Sequence, residues 1–226
     1  MRHSLFLVVI GAGGAAILLW LGLWQMQRLD WKQGVIADID ARIAAAPAAL
    51  PDDPDPQADT YLPVDVSGTF DTPYVRVLVS QKQIGAGYRI ISALDTGTQR
   101  VLVDRGFTPV AQTDVPVHAG VVRVQGNLQW PRETDGFTPA PDLAENIWFA
   151  RDVDALAQAL DTARVLIVAK QTSFDDTPIR PLPVDTAAIP NDHLQYAITW
   201  FSLAGIWILM SVAFILRARR APNRTR

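Results

Sequence analysis

The chain contains no cysteine, which excludes a disulfide framework, a thiolate metal site and covalent attachment of a c-type haem. Methionine and histidine number only three each. They are not gathered into a soft-donor cluster, so copper handling is not expected either. An HExxH pair, a glycine-rich phosphate loop and a nucleophile with a defined Ser–His–Asp set are all missing, which leaves no motif for hydrolytic or phosphoryl chemistry. Charge is missing too, but only locally. Residues 5–24, LFLVVIGAGGAAILLWLGLW, and residues 194–216 carry no charged side chain.

Each uncharged run is long enough for a helix to cross a bilayer, which takes about 20 residues. In the first run the small-residue AGGAA lies in the middle and apolar residues continue to Trp24. A cleavable signal would turn polar after its small-residue site, so an uncleaved anchor is expected. Beyond the second run come Arg217, Arg219, Arg220, Arg224 and Arg226, with no acid among them. Such a tail marks the cytoplasmic side, and two spans bring Arg2 and His3 to that same side. The intervening chain is then extracytoplasmic: periplasmic in a Gram-negative bacterium, or in the intermembrane space of an organelle. From Arg28 to Asp192 there are 14 Lys/Arg against all 23 Asp/Glu. That negative balance suits a soluble domain and argues against nucleic acid as a partner.

These features divide the chain into a cytoplasmic N-terminus (1–4), a first span (5–27), a helical extension with a Pro/Asp-rich linker (28–60), a β-rich domain (61–189), a capped second span (190–216) and an arginine-rich tail (217–226). The linker PAALPDDPDPQAD reads as an exposed connection. From Tyr61 on, YLPVDVSGTF, YVRVLVSQ, GYRIISAL, QRVLVDRGF, GVVRVQGNL and ARVLIVAKQ are rich in β-branched and aromatic residues with turn-forming separators. DVDALAQAL reads as a short helix capped by Asp152. The expected fold is a membrane protein with two transmembrane helices flanking an α+β domain, mainly an antiparallel β barrel or sandwich. GFTP occurs at Gly106–Pro109 and again at Gly136–Pro139, which reads as a recurring way to end a strand with Phe at a core edge.

Within the domain, Asp104 beside Arg105 reads as a local pair at a strand end, Asp175–Asp176 as a solvated turn, and His118 as an exposed side chain. His193 has a more defined setting. Asp192 and Gln195 bracket it in the pattern of a capping box, placing His193 in the first turn of the second span. A helical line from His193 passes Tyr196 or Ala197, Trp200, Ala204 and Trp207. On the first span Trp20, Trp24 and Arg28 form an i,i+4 ladder, followed by Lys32 at the same outer boundary. Gly11, Gly14, Gly22 and Gly205 permit close helix packing. Two readings of His193 stand here. From these residues alone anchoring leads, because aromatic and basic residues hold helices at a membrane interface; the second reading is that an imidazole above aromatic rings suits an axial haem ligand, with Arg28 and Lys32 as partners for propionates.

GLWQMQRLDWK (Gly22–Lys32), VLVDRGFTP (Val101–Pro109), GNLQ (Gly126–Gln129) and PNDHLQYAITWFSLA (Pro190–Ala204) stand in this order along the chain. Together they resemble the SURF1 family of cytochrome c oxidase assembly proteins over nearly the whole length. In GFTP, Phe107 stands where many relatives carry Trp. The resemblance implies an assembly factor for a haem-copper terminal oxidase, an aa3-type cytochrome c oxidase or a related quinol oxidase. Such a factor binds haem a as cargo and aids its insertion into the main catalytic subunit, without chemical turnover. It places iron ligation on His193, matches the family tryptophan to Trp200 and the first-helix motif to Trp24, Gln25 and Arg28, and makes Tyr196 a cofactor neighbour. Arg105, Gly106 and Pro109 match the strand-end motif, with Gly106 and Pro109 in structural roles. The implied partners are the oxidase subunit and haem a synthase, with self-association left open. The implied location is the bacterial inner membrane, or the mitochondrial inner membrane for an organellar protein. A scaffold that bridges synthase and oxidase without holding haem is the alternative. A membrane enzyme acting on haem or quinone is the third reading, and no acid–base or redox constellation supports it.

Overall fold

A computed structural model describes residues 2–81, 85–112 and 115–220. Arg224 and Arg226 of the basic tail lie outside the described residues. The chain divides into two compact units: one takes the N-terminal helix as far as Asp38 and the chain from Ala187 onward, the other spans Ile39–Thr186.

The first unit is built on two helices, α1 (Arg2–Ile43) and α3 (His193–Arg220). Both are long and apolar enough to cross a membrane, about 63 and 42 Å at the α-helical rise. Most of their large apolar side chains are exposed, including Phe6, Ile17, Leu209 and Phe214. Asp192 caps α3 through its backbone, the carbonyl accepting the Tyr196 N–H at 3.1 Å.

The second unit is a mixed sheet. Its elements in chain order are β1 (Pro63–Gln81), β2 (Gly85–Asp95), β3 (Arg100–Pro109), β4 (Val122–Leu128), β5 (Ile147–Trp148), α2 (Val153–Leu160) and β6 (Leu166–Thr172). Two of the expected strands are the halves of β1, joined across an irregularity between Phe70 and Tyr74. Residues 63–68 pair with β4, and Thr69, Phe70 and residues 74–81 pair with β2. Pairing therefore runs β1–β2–β3–β6–β4 and returns to β1. The β1–β2, β2–β3, β1–β4 and β4–β6 ladders are antiparallel, while β3–β6 and β1–β5 are parallel. The short β5 had no signal in the sequence.

All five strands of that circuit contribute to one core: Val64 and Val66, Leu94, Val101 and Val103, Val124 and Leu128, Ile167 and Ala169. Other residues of β1, β2, β3 and β6, among them Val75, Ile91, Leu102 and Val168, face a second core with Trp148 and the buried side of α2, Leu156 and Leu160. Buried on both faces, β3 and β6 read as apolar runs rather than alternating ones. Asp152 caps α2, its carboxylate accepting the Asp154 and Ala155 N–H groups. The ends of the unit meet where the Thr186 hydroxyl donates to Asp40 at 2.7 Å.

The two GFTP segments differ. Phe107 is buried, and β3 ends at Pro109. Phe137 is 94% exposed at a turn held by the Asp135 carboxylate. The shared letters mark no repeated structural solution: the first Phe faces a sheet partner, whereas the second sits in a long connection with no sheet to cover.

Candidate functional site

Small residues bring α1 and α3 together. A Cβ on Gly22 would stand 2.6 Å from the Phe201 ring, one on Gly14 2.5 Å from Trp207, and one on Gly11 3.0 Å from Ser211. Those glycines leave room for the rings and hydroxyl opposite. Trp207 also donates its indole N–H to the Gly11 carbonyl at 3.0 Å. As numbers rise along α1 they fall along α3, so the helices run antiparallel. Ala197 and Ala204, each 1% exposed, lie on the packed face at helical spacing from His193. Gly205 does not share that face, for nothing lies within 4 Å of a Cβ built on it; the expectation that it aids packing is corrected.

At the end of this pair nearest the sheet in sequence, His193 Nδ1 lies 2.8 Å from Gln25 Oε1. An amide oxygen only accepts, so Nδ1 carries a proton, and in the neutral ring the lone pair then lies on Nε2. Gln25 is 8% exposed and His193 is half-buried. A neutral ring with a free Nε2 is the form that ligates a metal.

The other sequence-derived residues lie on the same two helices, and none of them has a hydrogen bond or ion pair to His193 among the described contacts. Tyr196 and Trp200 follow it along α3, Tyr196 55% exposed and Trp200 half-buried. On α1, Trp24 is 46% exposed. Arg28 is exposed with its guanidinium over the Trp31 ring, 3.8 Å from the centroid, and Lys32 is half-buried. The two helices thus offer one nitrogen donor, aromatic faces and two cations. Among the described residues, no group of three or more His, Cys, Asp or Glu could hold a bare metal ion. A macrocycle brings four nitrogens of its own and needs only axial donors, so this donor set fits haem better than a free cation.

The sequence matched Gln25 to the first-helix motif but gave it no role in the site, although a signal for one existed. Gly11, Leu18, Gly22, Gln25 and Leu29 fall in one row of α1, and a polar amide on a packed face of an apolar helix needs a partner.

The domain's ionic groups depart from the sequence reading. Asp104 and Arg105 do not pair with each other. Ile90 pairs with Gly106 and Ile91 with Asp104, so Arg105 is the extra residue of a β-bulge. Fully buried Asp104 meets Arg89 at 2.6 Å and Arg151 at 3.3 Å. Arg105 is held by both oxygens of buried Asp176, donates to the Pro116 carbonyl, and lies over the Phe70 ring. Asp176 is therefore not part of a solvated turn; only Asp175 is exposed, accepting from Thr177. His118 is not free either: its side chain is 17% exposed, with Nε2 3.1 Å from Asp176 and its ring 4.0 Å from that of Phe174. These contacts offset the desolvation of charged groups in a sheet core. Burial alone would raise the Glu133 carboxyl, but hydrogen bonds from Arg151 and its charge prevail and hold it below the usual range. Next to the bulge, Gly106 has φ +126, and a Cβ there would overlap the Arg180 carbonyl.

Comparison with known proteins places these features in a family. The model of the SURF1 family matches residues 12–205. The chain is 30% identical to "Surfeit locus protein 1" of Rattus norvegicus, covering 81% of this chain and 67% of that protein. It is 31% identical to a "SURF1-like protein" of Monosiga brevicollis, over 91% and 85%. A "SURF1-like protein" of Rickettsia felis is 28% identical, over 88% and 92%.

Proposed function

The chain belongs to the SURF1 family, which serves cytochrome c oxidase assembly, and we propose that it carries haem a as cargo to the main catalytic subunit of a haem-copper oxidase. The observation that carries this reading is the His193–Gln25 bond, which occupies Nδ1 and leaves Nε2 for a ligand. His193 would ligate the iron through Nε2. Trp24, Tyr196 and Trp200 offer apolar faces to the macrocycle, and Arg28 and Lys32 are the cations available to its propionates. In this reading α1 and α3 cross the membrane with both chain ends cytoplasmic, and the sheet unit, a small closed barrel, lies outside. The boundary that fits is the bacterial inner membrane, with haem a synthase and the oxidase subunit as partners. No chemical turnover is required, because haem changes hands by ligand exchange.

Full-length protein purified in detergent from haem-a-producing cells is expected to carry a haem a spectrum. His193→Ala should lose that spectrum while keeping the sheet unit folded, as read by circular dichroism. Unchanged haem occupancy in the variant would overturn the ligand role. Oxidase subunit captured equally well by haem-free protein, with assembly preserved in cells, would favour the scaffold reading instead.

A further inference from the structure

We infer that Gln25 is the positioning residue of the haem site: its side-chain oxygen selects the His193 tautomer that presents a free Nε2. This rests on the haem-carrier reading above and deepens it. Free imidazole distributes its proton between two nitrogens, and only one arrangement leaves Nε2 able to bind iron. Here the choice is made by an acceptor 168 positions away in sequence, 2.8 Å from Nδ1. Gln25 is itself held: it is 8% exposed, and the close contact of Gly22 with Phe201 one turn earlier fixes the depth of α1 against α3. The next buried residue of the row is Leu29, so the amide lies between apolar contacts. An acceptor on Nδ1–H does more than choose a tautomer. It fixes the ring plane and makes the other nitrogen a stronger donor, as outer-shell partners of metal-bound histidines do. Gln25 touches neither iron nor macrocycle; it acts through His193.

The chain has only three histidines, His3, His118 and His193, so histidine-selective 15N labelling of the full-length protein resolves each ring. Haem-free wild type, purified in detergent from cells that make no haem a, should show His193 as the Nδ1–H tautomer at alkaline pH. Gln25→Leu should shift that population towards Nε2–H. Gln25→Glu, which keeps an acceptor, should retain Nδ1–H. With haem a added, Gln25→Leu should retain it about 10- to 100-fold more weakly and raise the reduction potential, while Gln25→Glu restores retention and lowers the potential. An Nε2–H tautomer in wild type, or one unchanged in Gln25→Leu, overturns the inference. So does haem retention by Gln25→Leu equal to wild type. If instead His193→Ala holds haem a as wild type does, the carrier reading fails at His193 and the positioning role falls with it, even where the tautomer result stands.

Discussion

Gly106→Ala tests the energetic account of the strand end most sharply, because Gly97→Ala supplies a matched control. Both glycines have positive φ, +126 at Gly106 and +85 at Gly97. Nothing lies within 4 Å of a Cβ on Gly97, whereas one on Gly106 would overlap the Arg180 carbonyl. Around Gly106, Phe107 and Arg180 exchange two backbone hydrogen bonds of 2.8 Å each. Forcing them apart costs about 1 kcal/mol per bond. Strain of a Cβ-bearing residue at such a φ adds about 1–3 kcal/mol. The total is about 3–5 kcal/mol for Gly106→Ala and about 1 kcal/mol for Gly97→Ala, which carries the milder backbone strain alone. In a domain of this size about 2–4 °C of Tm is lost per kcal/mol, so Gly106→Ala should melt roughly 6–20 °C lower and Gly97→Ala only a few degrees lower. Thermal unfolding of the full-length protein in detergent, followed through the β signal in circular dichroism, measures both. A Gly106→Ala loss within about 0.5 kcal/mol of the Gly97→Ala loss, below the cost of one hydrogen bond, would refute the argument.

The antiparallel helix pair predicts a cross-link in a chain without native cysteine. Gly11→Cys with Ser211→Cys should oxidise to a disulfide in membranes, since a Cβ on Gly11 stands 3.0 Å from that of Ser211. Gly13→Cys with Ser211→Cys should not, because nothing lies within 4 Å of a Cβ on Gly13; equal yields would contradict the pairing. Glu133 predicts an acid limb to stability. Its carboxyl is held below its ordinary value in the folded state, burial being outweighed by Arg151. Its contribution is therefore complete above the unfolded value of about 4.3 and is lost as pH falls through the lower folded value. Glu133→Gln should be less stable at neutral pH and show a flatter loss of Tm between about pH 5 and 3. A slope equal to that of wild type would remove Glu133 from the acid response.

What the sequence made legible was local. The uncharged runs, the Asp152 cap and the β-branched segments each announce themselves within about ten residues, where propensity and hydrophobic period operate. The long-range pairings were not legible. Arg105 and Asp176 lie 71 positions apart, His118 and Asp176 58, and Gln25 and His193 168. A bulge decides the first of these. By shifting the register at Ile90 and Ile91, it takes Arg105 out of the ladder with β2, and adjacent Asp104 and Arg105 enter different ionic clusters. The parallel β5 spans two residues, too few to carry a pattern. His193 stood out because its motif and its place at a helix start are local features. Gln25 did not, because its role appears only when a second helix supplies the imidazole.

The central claim is that the nitrogen left free by the Gln25 bond is the one that binds haem iron. Pulsed electron paramagnetic resonance of oxidised, haem-a-loaded protein measures this directly, comparing 14N- and 15N-histidine labelling in the wild type and in His118→Ala. The account predicts a strong isotope-sensitive coupling to a histidine nitrogen that persists in His118→Ala and disappears in His193→Ala. A coupling that survives in His193→Ala, or disappears with His118, would contradict it.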